Sequence, residues 1–404
     1  MPDRHSARLA SISVGRAAGL AALTLACAAA AGATNVRINP GDIGERSRFD
    51  TYALLKAVVE PALKRERLAD PVVAMSTDAT ADLAATRSRI PDVFVAPAHV
   101  IGSAVRYGYV PLVSLERPVQ AVLVARRDSP ATDLKSAAGL KLGLPPQDSV
   151  VTYLMRGEVN AANTTIKRHF GATFESRYQE ALLICLQVKR CDVVAVERTL
   201  FDRWVAAGEP IKALLESKPV PGVGVAVKPD TAAAAAAPAL RSALLSGFAS
   251  WPAASAAGRA ATVEAPDFKY VSTLGYFTPR ALPGVTLVDA AQAAELLKRG
   301  AVYVDTRTDA EFKAGHVPGS RLVPYVEKSA KDADYDAALD QFDLTQLPAD
   351  KQTPLVIGCN GAECWKSFKA SHAAMKAGYR QVHWFRGGVP EWRAAGMALE
   401  SAAR

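Results

Sequence analysis

From Asn35 onward, short apolar runs alternate with longer stretches in which apolar positions return every third or fourth residue. That alternation predicts strands interleaved with amphipathic helices. Val36-Arg37-Ile38 reads as the first strand, and Tyr52 to Leu68 as a helix kinked at Pro61. Pro91 to Pro97 holds a short buried strand, followed by a helix from His99 to Tyr107. Ala121–Ala125, Leu140–Leu144, Asp192–Val196 and Val223–Val227 read as further strands, the last closing the series. Pro145-Pro146 ends one of them, and Asp148-Ser149 supplies a cap for the helix that follows. Repeated alternation of this kind predicts an α/β architecture, a mostly parallel sheet with helices on both faces.

After Pro229 the pattern changes. The Ala-rich stretches Ala232–Ala237 and Ala253–Ala261 read as helix and surface loop closing the first unit. Phe277 to Gly284, with two prolines and a glycine, reads as a linker. A second α/β unit then opens with Asp289 as cap of a helix over Ala290–Arg299. It continues with strands at Val302–Val304 and Leu355–Ile357 and a helix over Ser367–Ala377. The expected division is 1–33 leader, 34–276 first domain, 277–284 linker and 285–402 second domain, with no repeat between the two domains.

Length and charge add bounds to this picture. A chain of 404 residues suits two or three domains. The net charge of +8 comes from Lys and Arg scattered among acids, without an aromatic-and-basic motif. It therefore reads as mild attraction for small anions, not as a nucleic-acid surface. At the N-terminus, Arg4, Arg8 and Arg16 precede the apolar run Ala17–Ala31, which is too short and Ala-rich to span a bilayer. Ala31-Gly32-Ala33 fits signal-peptidase cleavage, so the mature chain is expected to start near Thr34 in the periplasm. Cys27, after Leu23-Thr24-Leu25-Ala26, offers the alternative of a lipid-tethered form.

The other four cysteines fall in two local pairs, Cys185 with Cys191 and Cys359 with Cys364. Their spacings do not suit a zinc ribbon and no His stands at ligand spacing, so neither metal nor cofactor is expected. For Cys185 and Cys191, a disulfide and two buried thiols both stay open.

The densest chemistry lies in the last third, roughly Leu282 to Ala402. Asp305-Thr306-Arg307 follows a buried strand, and Glu311-Phe312 precedes Gly315-His316-Val317-Pro318-Gly319. Cys359 stands directly after the strand Leu355–Gly358, and Gly387-Gly388 and Trp392 close the series. In order and spacing these pieces resemble the rhodanese family over about 115 residues. The resemblance implies a central parallel sheet, a cysteine nucleophile at Cys359 and sulfur transfer from a small-molecule donor to a thiol acceptor.

The position of Cys359 supports that chemistry on physical grounds. A loop between a buried strand and a helix turns backbone N–H groups inward, and the helix start adds partial positive charge. Such surroundings favour a thiolate, a persulfide anion or a bound oxyanion. Asn360, Gly361, Ala362, Glu363 and Trp365 form the expected substrate loop, with Gly361 allowing the inward turn. Lys366 is positioned to hold an anion, where many rhodaneses use arginine.

The loop also departs from the family. From Cys359 to Lys366 it runs eight residues, longer than usual, and contains a second cysteine, Cys364. It resembles a Cys-Asn-Gly…Cys-Trp variant of exported rhodanese-like proteins. Cys364 is open to three roles: a resolving thiol, the nucleophile itself, or half of a structural disulfide. Asp305 and Arg307 are expected to fix loops through a salt bridge, and His316 to bond its own turn. Trp384 and Trp392 read as core. Phosphatase chemistry ranks last, since the loop lacks the arginine a phosphate needs.

The first unit resembles periplasmic substrate-binding proteins of phosphonate and related oxyanion transporters. The resembling residues are Asp92 to His99, Leu142 to Tyr153 and Asp192 to Val196. The implied fold is the two-lobed, type II binding-protein fold closing on a small anion by a hinge. Ser149, Val150 and Thr152 from one lobe and His99 from the other are the expected ligand contacts. An ABC-type transporter or a periplasmic redox protein is the implied partner, and nucleic acid is not. The combined expectation is a sulfurtransferase fused to an anion-binding domain. The rivals are a non-catalytic binding protein and a redox protein using Cys359 and Cys364 as a dithiol.

Overall fold

The computed structural model describes residues 33–41, 45–66, 68, 71–250 and 259–401. The expected leader, Cys27 and most of the Ala253–Ala261 run lie outside the described residues. The first domain is built on two sheets. The first lobe takes β1 (Asn35–Ile38), β2 (Val72–Met75), β3 (Val93–Ala96) and β4 (Val110–Leu115). The chain then crosses to a second lobe containing β5 (Ala121–Arg126), β6 (Lys141–Leu144), β7 (Ala172–Glu175), β8 (Val193–Glu197) and β9 (Ile211–Glu216). It returns through β10 (Gly224–Val227) and ends the first sheet with β11 (Ala260–Thr262). The two crossings run side by side, pinned by an antiparallel bridge between Val119 and Val220.

Strand order is β11-β4-β10-β3-β1-β2 in one lobe and β7-β6-β8-β5-β9 in the other. Apolar runs such as Val93–Ala96 are buried at every position, as strands covered on both faces should be. The expectation of a mostly parallel sheet is corrected in one respect: both sheets are mixed. β10 re-enters from the second lobe and runs antiparallel to β3 and β4, and β5 runs antiparallel to β8 and β9. Val223–Val227 is not the last strand of the domain, because Ala260–Thr262 pairs antiparallel with β4 where a helix or loop was expected. The helix expected over Tyr52–Leu68 spans Glu45–Arg65 with Pro61 inside it. Its first turns are polar and carry no apolar period, which is why the pattern reads it late.

Three helices of this domain matter below: α1 (Ala79–Ser88), α2 (Ala98–Arg106) and α3 (Val150–Ala161). A disulfide joins Cys185, near the end of the helix Glu180–Gln187, to Cys191 just before β8. That resolves the pair as bonded.

The C-terminal sheet is wholly parallel, in the order β12 (Thr286–Val288), β16 (Val382–Phe385), β15 (Leu355–Gly358), β13 (Val302–Asp305), β14 (Arg321–Leu322). Alternate side chains feed two cores. Val304, Leu355 and Ile357 pack with Ala370 and Ala374 on one face, while Tyr303, Val356 and Phe385 pack with Ala293 and Trp392 on the other. Three helices serve the site: α4 (Asp309–Ala314), α5 (Trp365–Lys376) and α6 (Gly388–Ala394). On α5, Lys369 is fully buried, its ammonium 2.8 Å from Glu327, 2.7 Å from Ser329 Oγ and 3.5 Å from Asp340. From Ala33 onward the chain forms one compact unit, so contacts between its two domains are part of the structure.

Candidate active site

β13, β15 and β16 end at one edge of the C-terminal sheet, where ligands gather in parallel α/β folds. Asp305 and Arg307 stiffen that edge. The guanidinium bonds both carboxylate oxygens, at 2.7–3.1 Å, and reaches the Gly315 carbonyl at 2.8 Å, with both side chains buried. Their expected structural role matches this geometry. His316 Nδ1–H donates to the Phe312 carbonyl at 2.9 Å and its ring stacks on Phe312, as a turn-bonding residue should. Removing Arg307 strands a buried carboxylate. Arg307→Ala is expected to destabilise the C-terminal domain by about 3–5 kcal/mol, read from urea unfolding.

Cys359 directly follows β15 and is 2% exposed. Its carbonyl accepts from the Val389 N–H at 2.9 Å, and a Cβ at Gly388 would overlap that carbonyl. The chain then turns at Gly361, whose φ of +92° suits glycine. The Cys364 N–H closes the turn by donating to the Gly361 carbonyl at 2.9 Å. Cys364 is the N-cap of α5, so its sulfur, more directly than that of Cys359, sits at the helix start. The two sulfurs are bonded to each other. Loop spacing therefore brings both cysteines to one point, and the structure holds them oxidised.

The remaining loop residues point into a seal made by the first domain. Asn360 Nδ2–H donates to Glu311 Oε1 of α4 at 2.6 Å, and the same oxygen accepts from Ser88 of α1 at 2.8 Å. The Ala362 carbonyl accepts from both the N–H and the hydroxyl of Thr278, at 2.9 and 2.8 Å. Glu363 is buried, accepts from the Tyr107 hydroxyl at 3.5 Å and abuts Gly275, where a Cβ would overlap its carboxylate. Trp365 Nε1–H donates to the Tyr276 carbonyl at 2.7 Å. Arg386 bonds Thr278 and the Pro279 carbonyl. Lys366 is half-buried at the start of α5, and its charge acts on Glu311.

The expected anion residues of the first domain meet where its lobes touch. His99 Nε2–H donates to the Asp148 carbonyl at 2.8 Å, crossing from one lobe to the other. Ser149 Oγ caps α3 by accepting from the Val151 N–H at 3.2 Å, and Thr152 donates to the Pro145 carbonyl at 2.9 Å. All four expected residues, Val150 included, are buried. Asp148 itself, expected as a cap, does something else. Its carboxylate takes the Thr80 hydroxyl from the opposite lobe and, at 2.7 Å from both oxygens, the Lys331 ammonium from the C-terminal domain. One carboxylate thus ties three bodies together.

Burial pushes the Asp148 carboxyl upward, but Lys331 and the bonds from Lys331 and Thr80 outweigh it and hold it below the usual range. Burial raises Glu311 too, but it is held low mainly by the Thr308 bonds and the Lys366 charge of its own domain, with only the Ser88 bond depending on docking. A carboxylate depressed in the docked state stabilises docking above its free pKa and stops doing so as pH falls through the docked value. Docking is expected to weaken below about pH 4. X-ray scattering on acidification checks this: the radius of gyration grows before global unfolding, and a flat profile contradicts it.

Sequence reasoning missed Ser88, Tyr107, Thr278 and Lys331. None belongs to a local motif, and each acts on a residue far along the chain.

Comparison with known proteins follows the same division. Residues 289–395 match the rhodanese-like domain family, and residues 68–260 match the ABC transporter, phosphonate, periplasmic substrate-binding protein family. Over 114 residues the chain is 32% identical to thiosulfate sulfurtransferase 18 of Arabidopsis thaliana, covering 27% of this chain and 78% of that one. Over 119 residues it is 34% identical to the HTH-type transcriptional regulator Rv0324 of Mycobacterium tuberculosis, covering 28% of this chain. It spans only 46% of that regulator's length. Among solved structures, XAC2383 from Xanthomonas citri bound to ATP is 18% identical with a TM-score of 0.49, covering 60% of this chain and 97% of that one.

Proposed function

Because the chain belongs to the rhodanese-like family through residues 289–395, behind a phosphonate-type binding domain, we propose that it moves sulfane sulfur through a persulfide on Cys359. The Cys359 thiolate attacks the outer sulfur of a thiosulfate-type donor. The donor S–S bond breaks, sulfite leaves with the electron pair, and Cys359 keeps the sulfur. A thiol acceptor then attacks the terminal sulfur and regenerates the thiolate.

Cys364 is the resolving thiol of this scheme. As a thiolate it attacks the Cys359 sulfur of the persulfide, hydrosulfide leaves, and the disulfide closes. Two electrons from a dithiol partner reopen it. The observation that carries the reading is the pairing itself: a cysteine at the end of β15 bonded to the cysteine that caps α5.

On this reading the mature chain is periplasmic, exported by residues 1–33, with lipid attachment at Cys27 as the alternative. The domains divide at 277–284, and the first binds a small anion through His99, Ser149, Val150 and Thr152. An ABC-type transporter or a periplasmic redox protein is its partner.

The test is sulfur transfer from thiosulfate to cyanide by the reduced protein, with Cys359 and Cys364 replaced by serine in turn. Loss confined to Cys359→Ser supports the reading, and activity surviving in Cys359→Ser contradicts it. A second reading, a dithiol oxidoreductase, is favoured by the closed disulfide. It requires reversible reduction with no sulfur transfer in any form of the protein.

A further inference from the structure

A cavity of about 980 Å³ lies where the second lobe, the segment 273–279 and the C-terminal domain meet. That volume is at the upper end of small-molecule sites. Its walls come from both domains: Arg156 and Glu175 from the lobe, Tyr276 and Phe277 from the connecting segment, Lys331 and Trp365 from the C-terminal domain. Of the four expected cleft residues only Thr152 reaches it, so it is separate from the contact between His99 and Asp148.

Its lining carries Arg156, Lys167 and Lys331 beside the acids Glu175 and Asp332. Lys331 is neutralised by Asp148. Arg156 forms no ion pair among the described residues, and its buried Nε has no hydrogen-bond partner there. Instead the guanidinium lies 3.4 Å from the Tyr276 ring centre and 5.1 Å from that of Tyr153. Stacking of this kind fixes the plane of the fork and leaves its edge to a planar anion. Of these acids, Glu175 is raised from its ordinary value by partial burial and by the Asp148 charge. Tyr276, Phe277 and Trp365 offer flat apolar surface beside the cation.

We infer that this junction cavity is a binding site for an organic anion: a carboxylate or sulfonate held by Arg156, with an aromatic or apolar body against Tyr276 and Trp365. The site exists only because the two domains are joined. Its wall also touches the dithiol loop, since the Tyr276 carbonyl accepts from Trp365, next to Cys364, and Gly275 abuts Glu363. A ligand here bears on the segment that seals the loop. The inference does not depend on sulfur transfer.

Calorimetric titration of the full chain with benzoate and with benzenesulfonate tests it, benzyl alcohol serving as the uncharged control. Saturable binding of one or both anions is expected, with Arg156→Leu weakening it about tenfold or more, the loss of one charge-assisted contact. Arg156→Lys, which keeps the charge without the planar fork, is expected to fall between the two, and thermal melts check that both variants fold. Arg203→Ala, at an exposed arginine of the second lobe outside the cavity, is expected to leave the affinity unchanged. Binding of neither anion overturns the inference. So does equal affinity for benzyl alcohol, an unchanged affinity in Arg156→Leu, or an equal loss in Arg203→Ala, which would make the binding a general charge effect.

Discussion

Cys359→Ser is expected to lower thiosulfate-to-cyanide transfer by about three orders of magnitude or more, the scale on which loss of a covalent nucleophile registers. Serine keeps the size and the loop contacts but is not ionised near neutral pH. It therefore neither attacks the donor nor stores sulfur. Cys364→Ser is expected to behave in the opposite way, keeping transfer within roughly tenfold of the parent because the nucleophile is intact. It loses the step that expels hydrosulfide, so Cys359 should accumulate as a persulfide, visible by mass spectrometry as one added sulfur. The two sulfurs meet in one buried bond, and only this asymmetry separates them. If Cys364→Ser is the dead variant and Cys359→Ser the active one, the helix-capping cysteine is the nucleophile.

The second large effect concerns access. Cys359 and Cys364 are 2% and 5% exposed, and the loop between them is covered by Ser88, Tyr107 and the 273–279 segment. A donor, an acceptor or a reductant must pass that seal. Lys331→Met removes the ammonium that Asp148 faces and leaves a buried carboxylate without its partner, worth about 3–5 kcal/mol. Thr278, Arg386 and the Ser88–Glu311–Asn360 chain still hold the junction, so separation is partial. If the open form is the reactive one, reduced Cys359 and Cys364 should be alkylated by iodoacetamide roughly tenfold to a hundredfold faster in Lys331→Met. Lys331→Arg, which retains the charge, is the control and should stay near the parent. Equal rates in all three proteins would mean that small molecules reach the dithiol without the domains parting.

Much of this molecule was legible along the chain, because its determinants are local. A buried apolar run ending in Cys359 is enough to place a strand, a loop and a helix start. Ser149 sits before an apolar period and caps α3 as that position requires. Asp305 and Arg307 are two residues apart and bond each other. Two six-residue strands, β4 and β9, went unread, and the rest of what escaped was non-local or very short. β2, β7, β11 and β14 are edge strands of two to four residues, too brief to show a period. The antiparallel pairing of β10 and β5 depends on which lobe the chain returns to, and no window of sequence carries that information. Asp148 reads as a helix cap beside Ser149, yet its partner Lys331 lies 183 positions further on. The seal over the dithiol loop was invisible for the same reason.

The spacing of the two disulfides has a consequence for how the chain matures. The four cysteines after Cys27 allow three pairings. The bonded partners are six and five positions apart, whereas any exchange must bridge at least the 168 positions from Cys191 to Cys359. Closing the longer loop costs about 3 kcal/mol more chain entropy than closing the shorter. Oxidation of the unfolded polypeptide is thus biased towards the native pairs before any tertiary structure forms. A general thiol oxidant suffices to make them, and isomerase-driven reshuffling has little to correct.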